Sequence, residues 1–197
     1  MSFSELITQR RTIYSLGKEL PLSEAELEDL FAHCLKHSPS AFNSQSARIV
    51  VCFAESHDKI WDITRHNLKA IVPAENFAAT EARINGFAAG AGTILFFEDQ
   101  SVLSYLMENF ALYAKNFPIW SEQSSGMLQY IIWTALAEQK IGASLQHYNE
   151  VIASDIATAF DIPDNWKLIA QMPFGNITAG AAEKEFQPLD ARFMIRR

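Results

Sequence analysis

An α/β sandwich, with helices layered against a central sheet, is the fold class this sequence predicts, and three observations carry it. Two short apolar runs, Arg48–Phe53 and Thr93–Phe97, have the length and β-branched or aromatic content of buried strands. A third run, Trp166–Met172, has the same character. Between and around them lie segments whose apolar residues recur at helical spacing, and alternation of this kind buries one face of each element against the other.

The elements follow in order. Ser2 opens the first helix with Glu5 placed to complete a capping box, and Phe3, Leu6 and Ile7 are expected to face inward. Ser23 and Glu26 repeat the device for a second helix, where Leu22 and Leu27 are spaced as a hydrophobic staple. Leu27, Leu30, Phe31, Cys34 and Leu35 then form its buried stripe. His33 and His37 lie one turn apart on this helix without a third ligand at zinc-site spacing, so no metal site is expected. After the first strand, a helix beginning near Ser56 carries Ile60, Trp61, Thr64 and Leu68 and is broken by Pro73. The alanine-rich stretch 75–92 reads as a close-packed helix. Ser101 to about Asn116 is expected to be a helix stopped by Pro118, with Phe117–Ser121 as a loop before a helix over 127–137. That last helix is apolar on almost every side and should be buried nearly all round. Asn149 is placed to cap a helix over 150–160, and Pro173 and Gly175 should end the third strand in a turn.

At 197 residues with nearly half of them apolar, the chain is expected to form a single domain over 1–197. Its formal charge of -7 and lack of any long basic run argue against nucleic acid or an anionic membrane as partner. Any phosphate must be met by a local cluster of cations. The two cysteines, Cys34 and Cys52, sit in apolar company and are expected to be free thiols; with no apolar run of membrane-spanning length, a cytoplasmic protein is expected.

The densest polar stretch is Ser38-Pro39-Ser40-Ala41-Phe42-Asn43-Ser44-Gln45-Ser46, which sets six hydroxyl or amide side chains around a proline, between a capped helix and a strand. Such a loop either caps its neighbours or presents donors to a ligand. Arg10-Arg11-Thr12 could complement a helix dipole from water or form a fork for phosphate oxygens. Phe117 and Trp120 could be core or could cover a flat ligand. His147 could act as a base, but no nucleophile accompanies it in sequence.

Ser38–Gln45 resembles the loop of the FMN-dependent nitroreductase family, Arg10-Arg11-Thr12 resembles that family's phosphate-binding opening, and Gly142–Asn149 is similar to the branch called fatty-acid-repression-mutant-like nitroreductases. The resemblance spans nearly the whole chain. It implies a nitroreductase-like α+β fold with a central, mostly antiparallel sheet flanked by helices, and a homodimer holding one FMN between subunits at each of two sites. It also implies an enzyme that uses NAD(P)H to reduce nitroaromatic or quinone acceptors by a ping-pong mechanism, the flavin N5 carrying the hydride so that no catalytic side chain is required. On that resemblance Arg10, Arg11, Thr12 and Lys184 clamp the phosphate, Ser40, Asn43 and Gln45 contact the ribityl chain and ring, Gln146 and His147 line the opposite wall, and Phe117 and Trp120 meet the substrate. The helix from Met127 is the candidate dimer interface.

Three departures bear on these assignments. Tyr14 stands where many relatives place a basic residue, Ser46-Ala47 replaces a Pro-Trp pair, and Lys184 is followed by Glu185 in place of a second cation. The alternative is a flavin-binding regulatory or lipid-signalling protein with little turnover. In either case, the basic opening and the polar loop should converge on one mononucleotide, within a subunit or between two.

Overall fold

The computed structural model describes residues 2–197. Two reciprocal capping boxes start α1 (Phe3–Gln9) and α2 (Glu24–His37): the hydroxyls of Ser2 and Ser23 accept from the N–H groups of Glu5 and Glu26, whose carboxylates reach back. The chain continues through β1 (Leu16–Gly17), β2 (Ala47–Phe53), α3 (Ala54–Ile71), α4 (Ala74–Ala88), β3 (Gly92–Asp99) and α5 (Gln100–Asn109). It ends with α6 (Phe117–Glu138), β4 (Ile141–Ala143), α7 (Asn149–Ala159) and β5 (Trp166–Ile177). The strands form one antiparallel sheet in the order β1-β5-β3-β2, with β4 also paired to β5.

Strand alternation builds two cores from one sheet. Ile94 and Phe96 of β3 pack with Leu27 and Phe31 of α2 and with Leu128, Ile132 and Leu136 of α6. Leu95 and Phe97 face the other way, into Ile60 and Trp61 of α3, Ile84 and Phe87 of α4, and Ile152 and Ile156 of α7. Inside this second core His57 is held by two contacts: Nδ1 lies 2.8 Å from Thr93 Oγ1 and Nε2 lies 3.2 Å from the Ala88 carbonyl. Because the Ala88 carbonyl can only accept, the neutral imidazole donates from Nε2, and its Nδ1 accepts from the Thr93 hydroxyl, whose oxygen in turn accepts from Trp61 Nε1. Burial holds the His57 pKa below its ordinary value.

Four expectations need correction. Pro118 starts a helix where a stop was expected: α6 begins at Phe117 with the proline in its first turn, where the missing N–H is one the helix would leave unpaired, so Phe117–Ser121 is helix and not loop. β5 runs straight through Pro173 and Gly175. The Pro173 carbonyl accepts from Ser144 N on the side where β4 ends, so the N–H that proline lacks falls beyond the ladder. Gly175 allows the close approach of β1, since a Cβ there would collide with the Gly17 carbonyl. Third, Asn149 is the first residue of α7 and does not cap it. Its amide donates to the Ile169 carbonyl, and its side-chain oxygen accepts from Gln171.

The fourth correction concerns outward faces. α1 has no buried residue, and Phe3 and Ile7 are exposed. On α6 the positions facing the sheet are buried, whereas Met127 and Tyr130 are exposed. β2, at the sheet edge, is only half-buried apart from Cys52. The cysteines Cys34 and Cys52 are free and buried. Among the described residues, no helix is long and apolar enough to cross a membrane.

Candidate functional site

The segment after α1 is laid against the sheet edge by the Thr12–Ala143 bridge and the bond from Ile13 N to the Ala143 carbonyl, 2.9 Å. From this anchored position Arg10, Arg11 and Thr12 wall a cleft of about 650 Å³ whose other side is the tail around Ala182 and Lys184. Arg11 ties the two sides together, donating to the Ala182 carbonyl at 2.5 Å. Arg10 lies over the Trp133 ring at 4.4 Å and near Tyr130 at 5.7 Å, both on α6. Stacking fixes the plane of its guanidinium and leaves the edges free to donate. Its buried Nε has no hydrogen-bond partner among the described residues. Three cations thus gather in one cleft of a chain that is acidic overall, although Glu183 and Glu185 also line it.

A second cleft of about 370 Å³ adjoins the first at Tyr14 and is walled by Arg83, Phe87 and Gln146. Gln146 is held in place by mutual backbone bonds with Gln171 of 2.7 and 2.9 Å. His147 follows, exposed, on the connection into α7. Arg83 was missed by sequence reasoning, since one arginine on an alanine-rich helix carries no local signal.

The loop after α2 folds on itself. Ser40 Oγ accepts from Gln45 N at 3.0 Å, and the Ser40 carbonyl accepts from Asn43 N at 3.0 Å. Phe42, Asn43 and Gln45 take left-handed backbone angles, with φ of 57°, 50° and 49°. Asparagine tolerates that region, but phenylalanine does not without cost. Aromatic packing offsets the cost: Phe42 meets Phe110 at 5.1 Å and Phe117 at 5.3 Å and lies nearly parallel to Trp120 at 6.2 Å. Phe117 is buried beneath this cluster, while Trp120 and Phe42 share the wall of an open cleft of about 470 Å³ with Ser40 and Met127. Phe42 also went unrecognised from sequence, where it is one apolar residue in a loop dominated by hydroxyls and amides.

On its other side the loop borders a cleft of about 390 Å³ lined by Ser40, Gln45, Ser46, Arg48 and Ser124. Arg48 staples the loop exit, donating to the Gln45 carbonyl at 2.7 Å and to Asp99 at 2.8 Å. Burial alone would raise the Asp99 carboxyl, but hydrogen bonds from Ser101 and Asn165, with the Arg48 charge, hold it below its ordinary value. Beneath the loop lies Glu98, whose Oε2 accepts from the Ser46 hydroxyl at 2.6 Å.

Within one chain, the basic opening and the polar loop do not meet. The loop enters β2 at Ala47, opposite Glu98 and Lys167, whereas Thr12 lies beside Ala143, opposite Phe174. Three strand spacings and seven residues along β5 put these corners of the sheet roughly 25 Å apart. The predicted residues fall into two separate clusters. One holds Arg10, Arg11, Thr12 and Lys184 with Gln146 in the adjoining cleft; in the other, Ser40 shares a cleft with Gln45 on one side of the loop and with Trp120 on the other, and Asn43 lines neither.

Comparison with known proteins places this geometry. FRM2, a nitroreductase of Saccharomyces cerevisiae, is 36% identical over 189 residues, covering 94% of this chain and 93% of the relative. The structure of CinD, a nitroreductase of Lactococcus lactis solved with nicotinic acid, superposes with a TM-score of 0.93 at 45% identity over the full length of both chains. The same protein solved with 4-nitrophenol gives 0.90 at 44% identity, again over both full chains. A protein from Desulfovibrio desulfuricans solved with FMN shares the fold, with a TM-score of 0.69 at 20% identity over 98% of this chain and 96% of that one. The nitroreductase family profile matches residues 7–176, and with relatives of this similarity along its length the chain belongs to the nitroreductase family of oxidoreductases.

Proposed function

We propose that this chain is an FMN-dependent oxidoreductase, acting in the cytoplasm as a homodimer, that takes electrons from NAD(P)H and delivers them to nitroaromatic or quinone acceptors. The observation that carries the proposal is the cleft of Arg10, Arg11, Thr12 and Lys184, a gathering of phosphate donors in an acidic protein. The donor set fits a phosphate monoester: two guanidinium forks, a hydroxyl and an ammonium, with a buried Arg10 Nε that lacks a partner. When bound, the flavin supplies the two-electron chemistry, accepting hydride from nicotinamide and passing reducing equivalents to the acceptor.

The protein's own residues bind and orient. Arg10, held in plane by Trp133, would hold the dianion together with Arg11 and Lys184, which line the same cleft. Gln146, in the adjoining cleft, would contact the rest of the cofactor, with His147 beside it in sequence and exposed. Arg83, at the cleft that Tyr14 shares, supplies positive charge where Tyr14 replaces a basic residue. Ser40, Asn43 and Gln45 come from the partner subunit, because one chain holds its two half-sites apart. Trp120, with Phe117 behind it, gives nicotinamide and acceptor an aromatic surface to occupy in turn, as ping-pong kinetics requires. The nicotinic acid and 4-nitrophenol bound by CinD are of these two chemical kinds. The exposed apolar residues of α1 and α6, Phe3, Ile7, Met127 and Tyr130, supply the surface for the second copy.

The test is spectroscopic. The purified protein should bind FMN, bleach on addition of NADH or NADPH, and regain colour with a nitroaromatic or a quinone. A colourless preparation that takes up no added FMN would defeat the proposal. Bleaching without reoxidation by any acceptor would leave a flavin-binding protein without this activity.

A further inference from the structure

A buried acid lies under the loop that presents Ser40, Asn43 and Gln45, and no step described so far uses it. Alternation along β3 puts Glu98 on the face that carries Ile94 and Phe96, beneath α6. The residue is 1% exposed, and Oε1 has no hydrogen-bond partner among the described residues. The other oxygen accepts from Ser46, which is also 1% exposed, closes the loop and lines its cleft. A buried carboxylate with a bare oxygen is costly unless a proton or a cation neutralises it.

The charged neighbours do not neutralise it fully. Arg48 on β2 favours the ionised form but is already engaged by Asp99 and two backbone carbonyls. Asp99 on β3 and Glu122 on α6 favour the neutral form. Lys167, opposite Glu98 on β5, is paired with Glu122 at 3.2 Å. Burial outweighs the Ser46 hydrogen bond and the Arg48 charge and lifts the Glu98 carboxyl to about 7.

We propose that Glu98 is the positioning residue of this loop: it grips the loop from beneath through Ser46, and gain or loss of one proton changes how firmly Ser40, Asn43 and Gln45 are presented to the ligand. The purpose of the grip rests on the flavin proposal, while the grip itself does not. Opening the loop breaks the Ser46 bond while the sheet and α6 keep the carboxyl buried, and ionised Glu98 accepts a charge-assisted bond roughly twice as strong as the neutral one, so the loop tightens as pH rises through neutrality. The whole fold responds with the opposite sign. Since the folded carboxyl titrates near 7 and the unfolded one near 4.5, the unfolded chain loses its proton first and stability falls as pH rises between those values.

Opposed signs make the test specific. Hydrogen-exchange protection factors, corrected for intrinsic rates, are measured at the Asn43, Ser44 and Gln45 amides of the full chain without added flavin from pH 5.5 to 8.5. The thermal midpoint and the FMN dissociation constant are measured in parallel. Wild type should gain about fivefold in loop protection with an inflection near neutrality, while the Glu98 share of its thermal midpoint, read as the difference from Glu98→Gln, falls as pH rises over the lower part of the range. Glu98→Gln should be flat in loop protection and lose the Glu98 share of the thermal slope. Ser46→Ala leaves the acid in place, so it should keep the thermal pH dependence and lose that of the loop, and it decides the matter if Glu98→Gln does not fold. A flat wild type, or an inflection in loop protection that survives either substitution, overturns the proposal. Failure of all forms to bind FMN, with the exchange pattern intact, would refute the flavin proposal and leave the grip standing.

Discussion

Two variants of this chain that each fail to bind flavin should, when mixed, recover about one quarter of the sites of the wild type. The first carries Arg10→Ala and Arg11→Ala and loses the phosphate cleft; the second carries Ser40→Ala, Asn43→Ala and Gln45→Ala and loses the polar loop. The prediction follows from the separation of roughly 25 Å between the two half-sites across the sheet. If the cleft of one subunit is completed by the loop of its partner, random assortment gives about half heterodimers, each with one site intact in both halves and one damaged in both. Co-expression from differently tagged genes, isolation of the mixed pool and the ratio of bound-flavin absorbance to protein would measure the recovery. Tandem purification of the heterodimer alone should double it, to about half. Flavin content that stays at the level of the parents would show that each site is built from a single chain, and the shared-site assignment would fall.

Other outcomes follow from single contacts. Arg10→Lys keeps the charge but loses the planar stack on Trp133, and FMN affinity should drop about tenfold in a fluorescence titration, with the far-ultraviolet spectrum unchanged. His57 is buried as the neutral form, so the unfolded chain takes up a proton preferentially below the ordinary value of 6.5; the His57 share of the thermal midpoint, opposite in sign to that of Glu98 and read as the difference from His57→Gln, should fall as pH drops below 6.5. Gly175→Ala would drive a methyl into the Gly17 backbone, which cannot move aside as a side-chain tip could. Chemical denaturation should register a loss of about 3 kcal/mol, and a change below about 0.5 kcal/mol would mean that β1 yields freely.

Local chemistry was legible in the sequence wherever a few adjacent residues decide the outcome. Ser23 and Glu26 announce the start of α2 because both halves of a capping box lie within one turn. β3 was legible because burial on both faces demands an unbroken apolar run. Pro118 was misread because the same missing N–H that stops a helix is harmless in its first turn. Pro173 was misread because its tolerance depends on where β4 ends, a fact of pairing and not of sequence neighbours. The exposed faces of α1 and α6 were expected to be covered, since hydropathy reports how apolar a face is and not which chain covers it. In the candidate site, the basic opening and the polar loop stood out as compositional clusters. The Glu98–Ser46 contact joins positions 52 residues apart, and the only hint was an acid at the inward-facing end of a buried strand.

β5 has a consequence for the order in which the molecule can assemble during synthesis. It is the last strand made, and it pairs with β1, β3 and β4, so a nascent chain that has not yet released residues up to Ile177 has only the β2–β3 pair of the final sheet. Until then Ile94, Leu95, Phe96 and Phe97 lie along an open strand edge that another unfinished chain could join. Translation stalled before that point should therefore yield aggregates and not a partly working enzyme, and chaperone capture at the ribosome should peak just before β5 emerges.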